Sequence, residues 1–255
     1  RLWIELLKNS YYKNHIMETL PNIDINIKVG NSLIHKVDFE IGKKLSNNIE
    51  IKRNTLKDYK EKVKAYKSTS DKSEKKKVKN AILNLKNILY DDFVQMSLFE
   101  IDNSKAVKNM NLYEGTFEWA FEFPEILGEN GEFLGFDAII GNPPYGANLS
   151  ADEKEFCKIN YRDVHTRTPD TYIYFISLAE KLIKKSAQFS YIVPNNLLFQ
   201  TECEKTRVLF LKENIITEFI NLGDNAFEDA NVPTAIFRVV KEQKNDYEFE
   251  YKDYR

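Results

Sequence analysis

Apolar and polar positions change rhythm several times along the 255 residues, and each change predicts an element. RLWIELLKNSYY sets Leu2, Trp3, Leu6 and Leu7 on one helical face, which predicts a helix over residues 1 to about 18, broken at Pro21-Asn22. In IDINIKV, Ile23, Ile25, Ile27 and Val29 alternate with Asp24, Asn26 and Lys28. That two-residue period predicts a strand with one buried face, closed by Gly30-Asn31-Ser32. FDAII at 136–140 is short, apolar and unbroken, as a strand covered on both faces should be. Over 170–185, Tyr172, Phe175, Ile176, Ala179, Leu182 and Ile183 fall on one helical stripe. FSYIV at 189–193 reads as a strand closed by Pro194-Asn195-Asn196. A helix over about 201–213 then leads to strands at IITEFI (215–220) and VPTAIFRVV (232–240).

Strands alternating with helices predict an α/β fold with a doubly wound, mostly parallel sheet. Such sheets bind ligands beyond the carboxyl ends of their strands. Asn31, Asn142 and Asn195 each follow such an end, so three polar loops are expected on one rim.

Residues 45–110 have a different character: lysine-rich, with Val78, Ile82, Leu85 and Leu89 at helical spacing. This predicts a helical insertion between two strands of the sheet. Its lysines could meet phosphates, but a charge run is usually a solvated helix face.

Composition changes this picture little. Apolar residues make up 42% and charged residues 30%, with a formal charge of −2, so any contact with a polyanion has to be local. Cys157 and Cys203 form neither a CxxC pair nor a Cys/His cluster and read as reduced cytosolic thiols. His15, His35 and His165 lack ligand spacing and read as structural. No apolar run approaches the roughly 20 residues of a bilayer span. The chain opens at Arg1 inside what reads as a mid-domain helix, so it is expected to be a piece of something longer.

The chemistry concentrates in Asn142-Pro143-Pro144-Tyr145. The prolines fix two φ angles, remove two backbone donors and hold Asn142 extended. What remains is a rigid pair of acceptors, the Asn142 side-chain oxygen and the Pro143 carbonyl, suited to an NH2 group. Tyr145 adds a flat ring that can stack on a heterocycle. A bare NPP in a loop is usually a stiffened turn; its place behind an apolar strand favours a site.

GNPPYG after FDAII resembles the catalytic loop of S-adenosylmethionine-dependent N6-adenine DNA methyltransferases of the gamma class, the TaqI type. LWIELLKNSYY, LPNIDINIKVGNSL, FEWAFEFPEIL, DTYIYFISLAEKLIKK, SYIVPNNLL and NAFEDANVPTAIF resemble that family's flanking segments, in its order. The likeness is strongest to the methylase region of type IIG restriction–modification proteins. It implies that Asn142 and Pro143 accept from the adenine amino group and that Tyr145 stacks on the flipped base, with Pro144 beside it. It implies that Phe227 meets the other side of that base and that Asn31 and Ser32 border the cofactor's adenine. Asn31 stands where the family often has aspartate. Double-stranded DNA is the implied substrate. The family's glycine-rich cofactor loop and target-recognition domain have no counterpart within 1–255, so the chain alone is expected to bind cofactor poorly and methylate little. A release-factor glutamine or ribosomal RNA methyltransferase, and a non-catalytic scaffold fragment, remain open alternatives.

Overall fold

The computed structural model describes residues 12–13, 16–17, 23–35, 49–69, 71–100, 117–129, 132–224 and 232–255. Its N-terminal elements are short. β1 (Tyr12–Lys13) and β2 (Ile16–Met17) pair antiparallel, Tyr12 opposite Met17, where a helix was expected. The apolar stripe behind that expectation lies mainly at Leu2–Leu7, and residues 1–11 lie outside the described residues. The strand expected at 23–29 is also corrected. Ile23–Asn26 forms a single helical turn, α1, and residues 27–29 have no regular structure, with Val29 98% exposed. Alternation makes a strand only where a neighbour completes the ladder, and among the described residues none does.

Two long helices follow, α2 (Ile49–Ser68) and α3 (Lys72–Glu100), within the segment read as a helical insertion. Leu56, Tyr59, Val63 and Tyr66 recur every three to four residues along α2 and bury one face against Ile82 and Leu89 of α3. The same cluster takes in Phe121 of the short helix α4 (Trp119–Glu122) and Leu127, just beyond it. The Tyr59 hydroxyl donates to the Phe121 carbonyl, and Lys60 donates to the Leu127 carbonyl. Lys67 pairs with Glu125 and Lys86 with Glu122. The hairpin is thus tied to the segment that leads into the main sheet.

That sheet has five strands: β3 (Phe136–Gly141), β4 (Ile183–Pro194), β5 (Ile215–Gly223), β6 (Thr234–Val240) and β7 (Glu250–Asp253). The spatial order is β3-β4-β6-β5-β7. β3 lies parallel to β4, and β7 parallel to β5, whereas β6 runs antiparallel between β4 and β5. Four strands therefore share one direction, and the sheet is mostly parallel. β6 reverses because residues 224–233 are too few for the helical crossover a parallel strand requires. β3 is an edge strand, not one covered on both faces: Ala138 is exposed and Ile140 is 89% exposed. An apolar run does not by itself reveal how many neighbours a strand has.

Three helices complete the layer: α5 (Ala151–Asn160), α6 (Thr171–Leu182) and α7 (Glu204–Glu213). α6 is buried on nearly every side, from Tyr172 to Leu182, and it passes directly into β4 at Ile183. Phe189, Phe210 and Phe237 meet in the core beside it, with the Phe210 and Phe237 ring centres 4.8 Å apart. Burying each such ring contributes roughly 1.5–3 kcal/mol. This anchors β4 and β6, and through them the loops at one end of the sheet.

Candidate active site at the carboxyl-end rim

Gly141 pairs with Tyr191, so the chain leaves β3 beside the last third of β4. A Cβ at Gly141 would stand 3.0 Å from the Tyr191 ring, which explains a glycine at this close approach. The next residues turn outward: Asn142 is exposed, Pro143 buried, Pro144 exposed and Tyr145 half-buried.

Three long-range contacts hold this loop. The Tyr145 hydroxyl lies 2.7 Å from Asn142 Oδ1 and 2.9 Å from the Ile192 carbonyl on β4. Gly146, at φ +59°, donates its N–H to Asp170 Oδ1 at 2.7 Å, and the Ala147 N–H reaches Thr171 Oγ1 at 2.9 Å. Asp170 is also the N-cap of α6, accepting from the Thr171 N–H at 2.6 Å. One carboxylate therefore starts the buried helix and pins the loop. The Tyr145 ring meets Tyr172 edge-on at 6.2 Å, and burial raises the Tyr145 pKa above its ordinary value. Its hydroxyl stays a proton donor at any physiological pH.

A phenol has one proton, and here two acceptors compete for it. When it points at Asn142, it fixes the amide with one Oδ1 lone pair still open. When an outside donor takes that oxygen, the proton can turn wholly to Ile192. Among the described residues none donates to the Pro143 carbonyl. Of the two acceptors read from the sequence, the Asn142 oxygen is on an exposed residue and the Pro143 carbonyl on a buried one.

Asn31 meets the far end of the same loop. Its Nδ2 donates to Glu153 Oε1 at 2.8 Å, and its Oδ1 accepts from the Leu33 N–H at 3.3 Å. Glu153 completes a reciprocal cap with Ser150 at the start of α5, as the spacing S-x-x-E favours. Ser32 is half-buried, its carbonyl accepting from Trp119 Nε1 at 3.2 Å. Asn31 Oδ1 keeps one lone pair open to a further donor. Asn195 lies beyond β4 on the same rim, donating to Asn221 Oδ1 at 3.2 Å. Phe227 lies outside the described residues.

Sequence reasoning missed Asp170, Thr171 and Glu153. An Asp before an apolar helical stripe signals a cap, but the bond to Gly146, 24 residues away, leaves no local trace. His165 Nδ1 lies 2.8 Å from the Tyr174 hydroxyl, and His35 meets Phe156 edge-on at 5.6 Å, whereas His15 lies outside the described residues.

The structure thus presents an α/β sheet whose edge strand ends in a pinned Asn-Pro-Pro-Tyr loop. Residues 1–227 match the family model of the Eco57I restriction-modification methylase, and the chain belongs to that family. It is 27% identical over 92% of its length to a Methanocaldococcus jannaschii protein assigned to the type II restriction enzymes and methyltransferases, 24% of which it covers. It is 26% identical over 47% of its length to the type II restriction enzyme and methyltransferase RM.Eco57I of Escherichia coli, covering 13% of that protein. The chain thus spans about a quarter or less of the length of these curated relatives. Among solved structures it is similar to a type I restriction-modification methyltransferase subunit from Streptococcus thermophilus. That match has 23% identity and a TM-score of 0.37, over 44% of this chain and 24% of the other. Among the described residues no helix is long and apolar enough to cross a membrane.

Proposed function

We propose that this chain forms part of the catalytic domain of a site-specific DNA methyltransferase that modifies the N6 amino group of adenine. In this reading S-adenosylmethionine is the methyl donor, double-stranded DNA the substrate, and the remaining cofactor-binding and target-recognition parts lie elsewhere in a longer restriction–modification polypeptide. Membership of the methylase family supports the reaction class. The observation that carries the adenine assignment is the exposed Asn142 amide oxygen, oriented by Tyr145 beside the Pro143 carbonyl.

The chemistry follows from those groups. An adenine inside a duplex hides its amino group, so the base is extruded and its lost stacking is offset by an aromatic face. In this reading the half-buried Tyr145 ring supplies that face. The N6 lone pair is delocalised into the ring and is a poor nucleophile. Hydrogen bonds from N6 to Asn142 Oδ1 and the Pro143 carbonyl pull electron density toward nitrogen and stabilise the positive charge that grows there during attack. The loop's attachments to Asp170, Thr171 and Ile192 preorganise these acceptors. When bound, the cofactor supplies an electrophilic methyl group on a sulfonium, with Asn31 accepting from its adenine. No side-chain base is required for the attack: the N6–C bond would form as the sulfonium S–C bond breaks, leaving a neutral thioether, and the methylated amine would then lose its extra proton to water.

The test is the identity of the product. The full natural polypeptide is incubated with duplex DNA and labelled S-adenosylmethionine, and the digested nucleosides are resolved by mass spectrometry. N6-methyladenine is expected. Methylcytosine alone, or transfer only to a protein or ribosomal RNA substrate, contradicts the proposal.

A further inference from the structure

Phe199 is a large apolar side chain left 68% exposed directly after the 3-10 turn Asn195–Leu198, at the carboxyl end of β4. A lone surface aromatic is ordinary, and exposure alone would say little. The surroundings differ from those of an incidental one. The Phe199 and Gln200 N–H groups both donate to the Asn196 carbonyl, and Arg207 donates to the carbonyls of Leu197 and Gln200 at 2.9 and 2.8 Å. The backbone on both sides of the ring is therefore fixed, while the side chain stays mostly exposed.

This turn is also fastened to the catalytic loop. The Tyr172 hydroxyl donates to Asn196 Oδ1 at 2.7 Å, and the same Tyr172 ring packs edge-on against Tyr145. A second segment joins them. Lys205 of α7 donates to the His165 carbonyl at 2.7 Å, tying the start of the 165–170 loop to the Phe199 side of the rim. That loop ends at Asp170, which holds Gly146 of the Asn-Pro-Pro-Tyr turn. Arg167, in its middle, is exposed and pairs with no acidic side chain among the described residues. A rigid exposed aromatic and an unpaired guanidinium thus flank the catalytic loop on segments bonded to it.

We infer that Phe199 and Arg167 form a nucleic-acid contact surface beside the site, Phe199 stacking on the duplex where the target adenine leaves and Arg167 taking a backbone phosphate. The inference rests on the proposed DNA substrate. Extrusion leaves a step with lost stacking, and a flat apolar ring held at that place offsets the loss without reading sequence. Arginine suits the phosphate because its planar donors match two phosphate oxygens. With an overall charge of −2, any phosphate contact made by this chain has to be local.

The experiment compares wild type, Phe199→Ala, Phe199→Trp and Arg167→Gln in the full polypeptide on two duplexes. One holds the target adenine in a normal pair; the other places it opposite an abasic site, where it is already unpaired. Phe199→Ala is expected to lower kcat/KM about tenfold on the paired duplex, the scale of one stacking contact, and to recover most of it on the abasic duplex. Phe199→Trp should stay near wild type. Arg167→Gln should weaken binding and reduce the slope of log affinity against log salt by about one. Melting temperatures close to wild type are expected for all three. Equal losses for Phe199→Ala on both duplexes, or no loss on either, overturn the stacking role, and an unchanged salt slope overturns the phosphate contact. Methylation of neither duplex by the wild type overturns the underlying function, a distinct failure.

Discussion

The rim of the sheet and the α2–α3 hairpin use polar residues in opposite ways. At the rim, long-range hydrogen bonds fix backbone and leave Asn142 and Phe199 exposed. In the hairpin, Lys57, Lys62, Lys64, Lys76 and Lys77 point to solvent, while the buried stripe from Leu56 to Tyr66 does the holding. The two regions have separate apolar clusters, and Phe133 packs against both. A contact that positions chemistry is rigid but makes little core; a contact that attaches an appendage is mostly core. The consequence is that each can be damaged without the other.

The largest break in that comparison is Asn142→Ala. In the full polypeptide it should lower methylation by about a thousandfold, the scale of removing a preorganised transition-state contact. Its exposure means the melting temperature should not move. Next in size, Val63→Ala opens a cavity in the hairpin cluster and should cost about 2 kcal/mol there. Hydrogen exchange should quicken along α2 and α3 while kcat stays at the wild-type value; a large drop in kcat would join the two regions.

Tyr145→Phe sharpens the rim side. It keeps the ring and removes the hydroxyl shared by Asn142 and Ile192, so kcat should fall about tenfold, as for one net hydrogen bond of about 1.4 kcal/mol. KM for the duplex should change less. The smallest effect is chemical. Burial, with the Glu153 carboxylate nearby, pushes the Cys157 thiol up to about 12. Alkylation at pH 8 should be slow in the folded chain and fast in denaturant, reporting the intactness of α5.

Much of this was legible in the sequence because it is local. The Asn-Pro-Pro-Tyr loop, the helical stripe from Val78 to Leu89 and the strands of β4 to β6 are written in consecutive residues. The reversal of β6 was not anticipated; it follows from the ten residues before it, too few for a helical crossover. What failed depends on neighbours. The alternation at 23–29 has no ladder partner among the described residues, and the apolar run of β3 lies at an edge. The attachments of the loop join residues 24 and 47 positions apart, so the part Asp170 and Ile192 play in holding it left no local signal.

The most direct test of the central claim separates rate from binding in Asn142→Ala. Single-turnover methyl transfer and duplex affinity are measured on the same variant of the full polypeptide. A rate about a thousandfold lower with an unchanged Kd is the predicted result. A normal rate with weakened binding would contradict it, reducing Asn142 to a contact that holds the base.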